Sequence, residues 1–133
     1  MINIPISYGE FLDKVSILQI KTEFIKDKEK NKLAKQEYTT LSEKYNEQVE
    51  THLILKLNTL YESLLEVNKE LWKIEDDIRI KEKQKEFDNH FIGLARSVYI
   101  TNDKRFVIKQ KINNLMGSEI NEVKSYEDYS NTD

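Results

Sequence analysis

Apolar positions recur along most of this chain with the 3.6-residue period of a helix, in four separate registers. In the first, Phe11, Val15, Leu18, Thr22 and Ile25 follow one another at alternating spacings of four and three, a single helical face. Ahead of it, Pro5 and Ser7-Tyr8-Gly9-Glu10 form a capping-box pattern. The Ser7 hydroxyl is expected to cap the first turn and the Glu10 carboxylate to bond back. Helix one is therefore predicted from about Ser7 to Lys28, and the charged stretch Lys26–Lys32 is predicted to be a solvated turn. A second helix follows with a thin seam of Ala34, Tyr38, Leu41 and Tyr45.

The register slips around 48–52 and resumes as Leu53, Leu57, Leu60, Leu64, Val67, Leu71, Ile74 and Ile78. Alternating spacings of four and three are the signature of closely packed helices. A break near Glu50–His52 with Thr51 as its cap is predicted, one long bent helix being the alternative, since no Gly or Pro enforces the break. Helix three should end within Lys81–Glu86, and Asp88 should cap helix four. The fourth seam is Phe91, Leu94, Val98, Thr101, Arg105, Ile108, Ile112 and Leu115, closed by Gly117 as a left-handed terminator. A link this short makes helices three and four antiparallel. The expected fold class is all-α, an antiparallel bundle of about four helices with a long C-terminal hairpin. It forms one domain over 1–126, followed by a flexible acidic tail over 127–133.

The fourth seam carries an anomaly, because Thr101-Asn102-Asp103-Lys104-Arg105 places polar residues on a packing face. Folding the hairpin about residue 85 sets Asn68 level with Asn102, Trp72 with Val98–Tyr99, and Glu75 with Ala95–Arg96. Arg105 on a bundle seam must reach water, pair with a carboxylate or meet an anionic ligand, because an unpaired buried charge is costly. Asp103, Glu75, Asp76, Asp77 and Asp13 are the candidate carboxylates. Three outcomes stay open: a salt-bridge network that fixes helix register, an anion-binding pocket between helices, and simple solvent exposure. The polar set is Lys14, Lys21, Asn68, Trp72, Glu75, Asp76, Arg79, Arg96, Tyr99, Asn102, Asp103 and Arg105. Lys14 and Lys21 join it because a seven-residue spacing puts both on one face of helix one. Simpler readings stand beside these: Trp72 as a core aromatic, Glu75-Asp76-Asp77 as a solvated face pairing with Arg79, and Glu62, Glu66 and Glu70 as an exposed ladder.

Composition narrows the chemistry. Charged residues make up 34% of 133, with 3 Gly and 1 Pro, a helix-rich profile. The net charge of −3 argues against a general nucleic-acid binder. Of the 21 basic residues only Arg79, Arg96 and Arg105 are arginine, which suggests sites needing a planar, bidentate donor. Without cysteine there is no disulfide, thiolate zinc site or thiol nucleophile, and His52 and His90 are isolated, so no metal or cofactor is expected. No apolar run reaches the ~20 residues of a membrane span and no signal-peptide pattern is seen, so the default expectation is a cytoplasmic protein. No phosphate loop or nucleophile elbow is present.

Three blocks carry a resemblance. They are Ile4-Pro5-Ile6-Ser7-Tyr8-Gly9-Glu10 through Asp13-Lys14 to Ile17-Leu18-Gln19-Ile20-Lys21; Val67-Asn68 through Leu71-Trp72 to Ile74-Glu75-Asp76-Asp77-Ile78-Arg79; and Leu94-Ala95-Arg96-Ser97-Val98-Tyr99 with Thr101-Asn102-Asp103-Lys104-Arg105. With them the chain resembles a small family of uncharacterised bacterial and phage proteins, a domain of unknown function. Gln19 departs from an acidic residue in that pattern. The resemblance implies a surface-polysaccharide setting, beside glycosyltransferase or tetratricopeptide modules, and no particular chemistry. The expected function is a non-catalytic helical module that binds a partner protein or a small anionic ligand. A homodimer is expected to bury the surplus apolar face of helices three and four. The alternatives are a small helical enzyme clamping an anionic substrate, as chorismate-mutase-type bundles do, and a phage structural protein.

Overall fold

The computed structural model describes residues 1–130, with Gln48 described by its backbone only. Four helices follow one another: α1 Tyr8–Phe24, α2 Lys28–Gln48, α3 Ile54–Gln84 and α4 Asn89–Met116. Among the described residues there is no strand. No helix is long and apolar enough to cross a membrane.

The ends of the helices follow from local chemistry. The Ser7 hydroxyl accepts the Glu10 N–H at 3.1 Å and starts α1. Glu10 does not complete the capping box, because its carboxylate is drawn across to Lys109 on α4. Helix one stops four residues earlier than its periodicity predicts. Asn31 donates from Nδ2 to the carbonyls of Thr22 and Ile25, at 2.9 and 3.0 Å, and so takes up acceptors that α1 leaves open. Asp27 then accepts the Lys30 N–H and caps α2, so 28–32 are helical where a turn was expected.

The break between α2 and α3 is real and consists of a single 3₁₀ turn, Thr51–Leu53. Its N-cap position is Glu50, with no side-chain capping bond, so Thr51 does not serve as the cap. Lys85 ends α3 in the left-handed region (φ 55°), and Lys81 Nζ bonds Glu86 and Asp88 at 2.9 Å each to clamp the corner. Asp88 caps α4 and Gly117 (φ 65°) terminates it, both as the sequence predicts.

α1 is the hub. It lies against α2, α3 and α4, while α3 and α4 form the hairpin. The core sits at one end, where Leu12, Leu57, Leu64 and Ile112 are almost fully buried beneath Tyr8, Phe11, Tyr45 and Leu60. The α1 helix reaches only as far as Trp72, where Phe24 stacks on the indole with ring centroids 6.3 Å apart. Past that point the hairpin continues as a two-helix arm, and no residue between 69 and 100 is buried. Beyond Gly117 a C-terminal strap returns along α4 without regular structure, as far as Ser130. Of the expected acidic tail, 131–133 lie outside the described residues.

Candidate functional site

Two polar stripes meet where α1 crosses α4. On α1, Gly9, Asp13 and Ser16 are buried and share a face with Ile20, at spacings of four, three and four. On α4, Thr101, Arg105, Lys109 and Asn113 recur every four residues. Thr101, Lys109 and Asn113 are buried and Arg105 is half-buried. Elsewhere in the bundle such faces are closed by leucines; here they are closed by matched polar groups.

The matching proceeds rung by rung. At the upper end Gly9 donates its N–H to Asn113 Oδ1 at 2.7 Å. A Cβ on Gly9 would lie 2.7 Å from the Lys109 carbonyl oxygen, so only glycine lets the two backbones approach this closely. One rung on, Lys109 Nζ pairs with Glu10 and with Glu122 of the strap, the latter at 2.8 Å. Burial disfavours the Lys109 ammonium, but the hydrogen bonds it donates to both carboxylates outweigh this and hold its pKa above the usual lysine value.

The third rung is the centre of the site. Arg105 meets Asp13 in a bidentate pair, Nε to Oδ1 at 2.8 Å and Nη2 to Oδ2. Asn68, from α3, donates to Asp13 Oδ1 at 3.0 Å and to Ser16 Oγ at 2.7 Å. The Ser16 hydroxyl in turn donates to the Asp13 carbonyl at 2.8 Å. Three helices are thus fixed to one carboxylate whose side chain is 5% exposed. The bonds Arg105 donates to Asp13 push its pKa still higher, and its remaining edge, Nη1, donates to Asn102 at 3.4 Å.

Arg105 also floors a cleft of about 400 Å³ between α4 and the strap. Its walls are the rings of Tyr99, Phe106 and Tyr126 together with Asn102, Asp103 and Lys124. Lys124 bonds Asp103 at 2.8 Å and lies over the Phe106 and Tyr126 rings, 5.2 and 5.8 Å from their centroids. Tyr129 packs edge-on against Tyr99 with its phenol close to the Asp103 carboxylate. Its phenol is thereby raised to about 12, while Lys124 and Tyr129 hold the Asp103 carboxyl below its usual value.

The expected polar set divides. Asn68, Asn102 and Arg105 come together in the layer, and Tyr99, Asn102, Asp103 and Arg105 line the cleft. The rest stand apart. Lys14 faces α2 and pairs with Glu37 at 2.9 Å, Lys21 lies in the last turn of α1, and Trp72 packs on Phe24. Glu75 pairs with Arg79 on the exposed arm, where Asp76 and Arg96 also lie, so the three arginines share no pocket. Of the five candidate carboxylates Asp13 is the one that meets Arg105, and Asp103 turns to Lys124 instead. Glu10, Ser16, Lys109, Asn113, Glu122 and Lys124 are additions that sequence reasoning passed over. The four-residue spacing of Arg105, Lys109 and Asn113 was the available signal.

Among the described residues no group of three or more His, Cys, Asp or Glu side chains is placed to hold a metal ion. No curated protein and no solved structure matches the chain. Residues 2–133 match a family described as a family of unknown function, DUF6165, and the chain belongs to that family.

Proposed function

We propose that this chain is a non-catalytic binding module, and that the cleft between α4 and the strap seats an uncharged, hydroxyl-rich ligand of saccharide type. One observation carries the reading: every cation facing the cleft already has a carboxylate. Arg105 has Asp13, Lys109 has Glu10 and Glu122, and Lys124 has Asp103. An anionic ligand would have to displace these partners and would gain little. What remains for a ligand is the surface of the Tyr99, Phe106 and Tyr126 rings left open by Lys124 and Tyr129, with the Asn102 amide and a rim of charge-neutral ion pairs, suited to a ligand with one apolar face and many hydroxyls. The Asp13 layer then acts as the rigid floor that keeps Arg105 and Asn102 in place beneath the ligand. The surface-polysaccharide setting implied by the resemblance supports the same ligand class.

A glycan array tests this. The wild-type chain should bind a defined subset of glycans, and Tyr126→Ala, altering a ring that is 84% exposed, should weaken those signals at least tenfold with the fold unchanged. An array with no bound glycan, or signals that Tyr126→Ala leaves intact, would contradict the reading.

A further inference from the structure

A second concavity lies at the turn between α1 and α2, and its charges are arranged in the reverse manner. The turn between α1 and α2 and the first three turns of α2 form an open groove of about 770 Å³. It is lined by Lys26, Lys28, Lys32 and Lys35, together with Ile25, Asn31 and a short run of Gln and Thr side chains. No carboxylate lines it. Of the two carboxylates adjacent to Lys28 in sequence, Asp27 is engaged in capping α2 through the Lys30 N–H, and Glu29 is exposed and outside the lining. None of the four lysines takes part in an ion pair among the described residues.

That absence stands out in this protein. Of the 17 other lysines and arginines ten are in ion pairs among the described residues, from Lys14–Glu37 and Lys69–Glu23 through the clamp at Lys81 to Arg105 and Lys109 on α4, and the seven without one, Lys56, Lys83, Arg96 and Lys111 among them, are spread along the chain. Here four converge on one groove. The spacing of 28, 32 and 35 puts three of them along one face of α2, over about 10 Å at a rise of ~1.5 Å per residue. The frame is stiff as well, since the Asn31 amide ties the end of α1 to the start of α2.

We infer that this groove binds a small ligand carrying several phosphate groups, such as an oligophosphate chain, independently of the α4–strap cleft. Lysine ammoniums act as point charges on phosphate oxygens, and several at fixed spacing favour several linked phosphates over one. The groove is open along the α2 face, which leaves room for a linked phosphate chain to lie across the lysines. The positive end of the α2 dipole adds to the same field.

Inorganic tripolyphosphate is the probe, titrated calorimetrically into the full chain at low salt. Binding should weaken as salt is raised, and orthophosphate should bind at least tenfold less tightly. The triple variant Lys28→Gln, Lys32→Gln, Lys35→Gln should lose at least tenfold in affinity. A control of equal charge change at exposed lysines elsewhere, Lys56→Gln, Lys104→Gln, Lys111→Gln, should retain it. Tyr126→Ala should also retain it, which separates this site from the proposed saccharide cleft. Equal losses in both triple variants, equal affinity for orthophosphate, or no binding by the wild type would each overturn the inference. So would binding to phosphatidylglycerol vesicles without binding to tripolyphosphate, because it would reassign the lysines to a membrane surface.

Discussion

The two concave regions of this molecule differ in one respect that decides what each can do. In the α4–strap cleft, Arg105, Lys109 and Lys124 are held by carboxylates, two of the three through largely buried atoms. In the α1–α2 groove the lysines are unmatched and exposed. A cation with a buried partner contributes mainly to fixing geometry, because removing either partner strands the other in a poorly solvated place. A cation without a partner contributes almost nothing to folding and is left available to a ligand. Counting charges alone would have ranked the arginine-bearing cleft as the anion site. Following each charge to its partner reverses the ranking.

The largest effect that separates the regions is expected at Asp13. Asp13→Ala strands a half-buried guanidinium and removes an acceptor of Asn68. It should cost about 3 kcal/mol in chemical denaturation, the lower end of the range for broken buried pairs, because Arg105 keeps 29% of its side chain in contact with solvent. Adding Arg105→Ala should bring much less than the sum of the two single losses, since the pair acts as a unit. Gly9→Ala comes next. The new methyl meets a backbone carbonyl that cannot rotate away, so α1 and α4 must separate, at a cost of ~1–3 kcal/mol. Both experiments strike the matched side of the comparison.

The strap should respond to pH at both extremes. The Asp103 carboxyl is depressed below its ordinary value of 3.8, so its contribution is complete above that value and is lost as pH falls through the lowered one. The Tyr129 phenol is raised to about 12 from 10.0, so its contribution is complete below 10.0 and is lost as pH rises toward 12. Peptide-resolved hydrogen exchange or tyrosine spectroscopy should therefore find the end of the strap fully docked between roughly pH 4 and pH 10, loosening as pH falls through the lowered Asp103 value or rises toward 12. The smallest effect is expected on the unmatched side. Lys28→Gln, Lys32→Gln and Lys35→Gln, made singly, should each change stability by no more than ~0.5 kcal/mol.

The hairpin was legible in the sequence because α3 carries an unbroken apolar seam and α4 a matching one interrupted only at Thr101 and Arg105, with Asp88 and Gly117 marking the ends of α4. The polar interruption at Thr101–Arg105 was also legible, as was its level opposite Asn68. The partner of Arg105 was not. Asp13 lies in a helix whose buried face reads Gly9, Asp13, Ser16, a pattern that looks like solvent-facing surface unless the complementary stripe on α4 is already known. The same limit hid Lys109, which is buried only because Glu10 and Glu122 arrive from two different segments. Arg79 and Arg96 went the other way: scarcity of arginine pointed to them, yet they stand on an arm that α1 is too short to reach. Periodicity reports which face a residue occupies, and its partner depends on which helix covers that face.

The contrast between matched and unmatched cations is tested most directly by one titration, tripolyphosphate into the isotope-labelled wild-type chain followed by two-dimensional amide NMR. The prediction is that shifted resonances fall within 25–40, around the four groove lysines, while the amides of Arg105, Lys109 and Lys124 stay in place. Shifts centred on Arg105, Lys109 and Lys124 with 25–40 unmoved would contradict the account, because they would mean that the carboxylate-paired cations are the ones a ligand can reach.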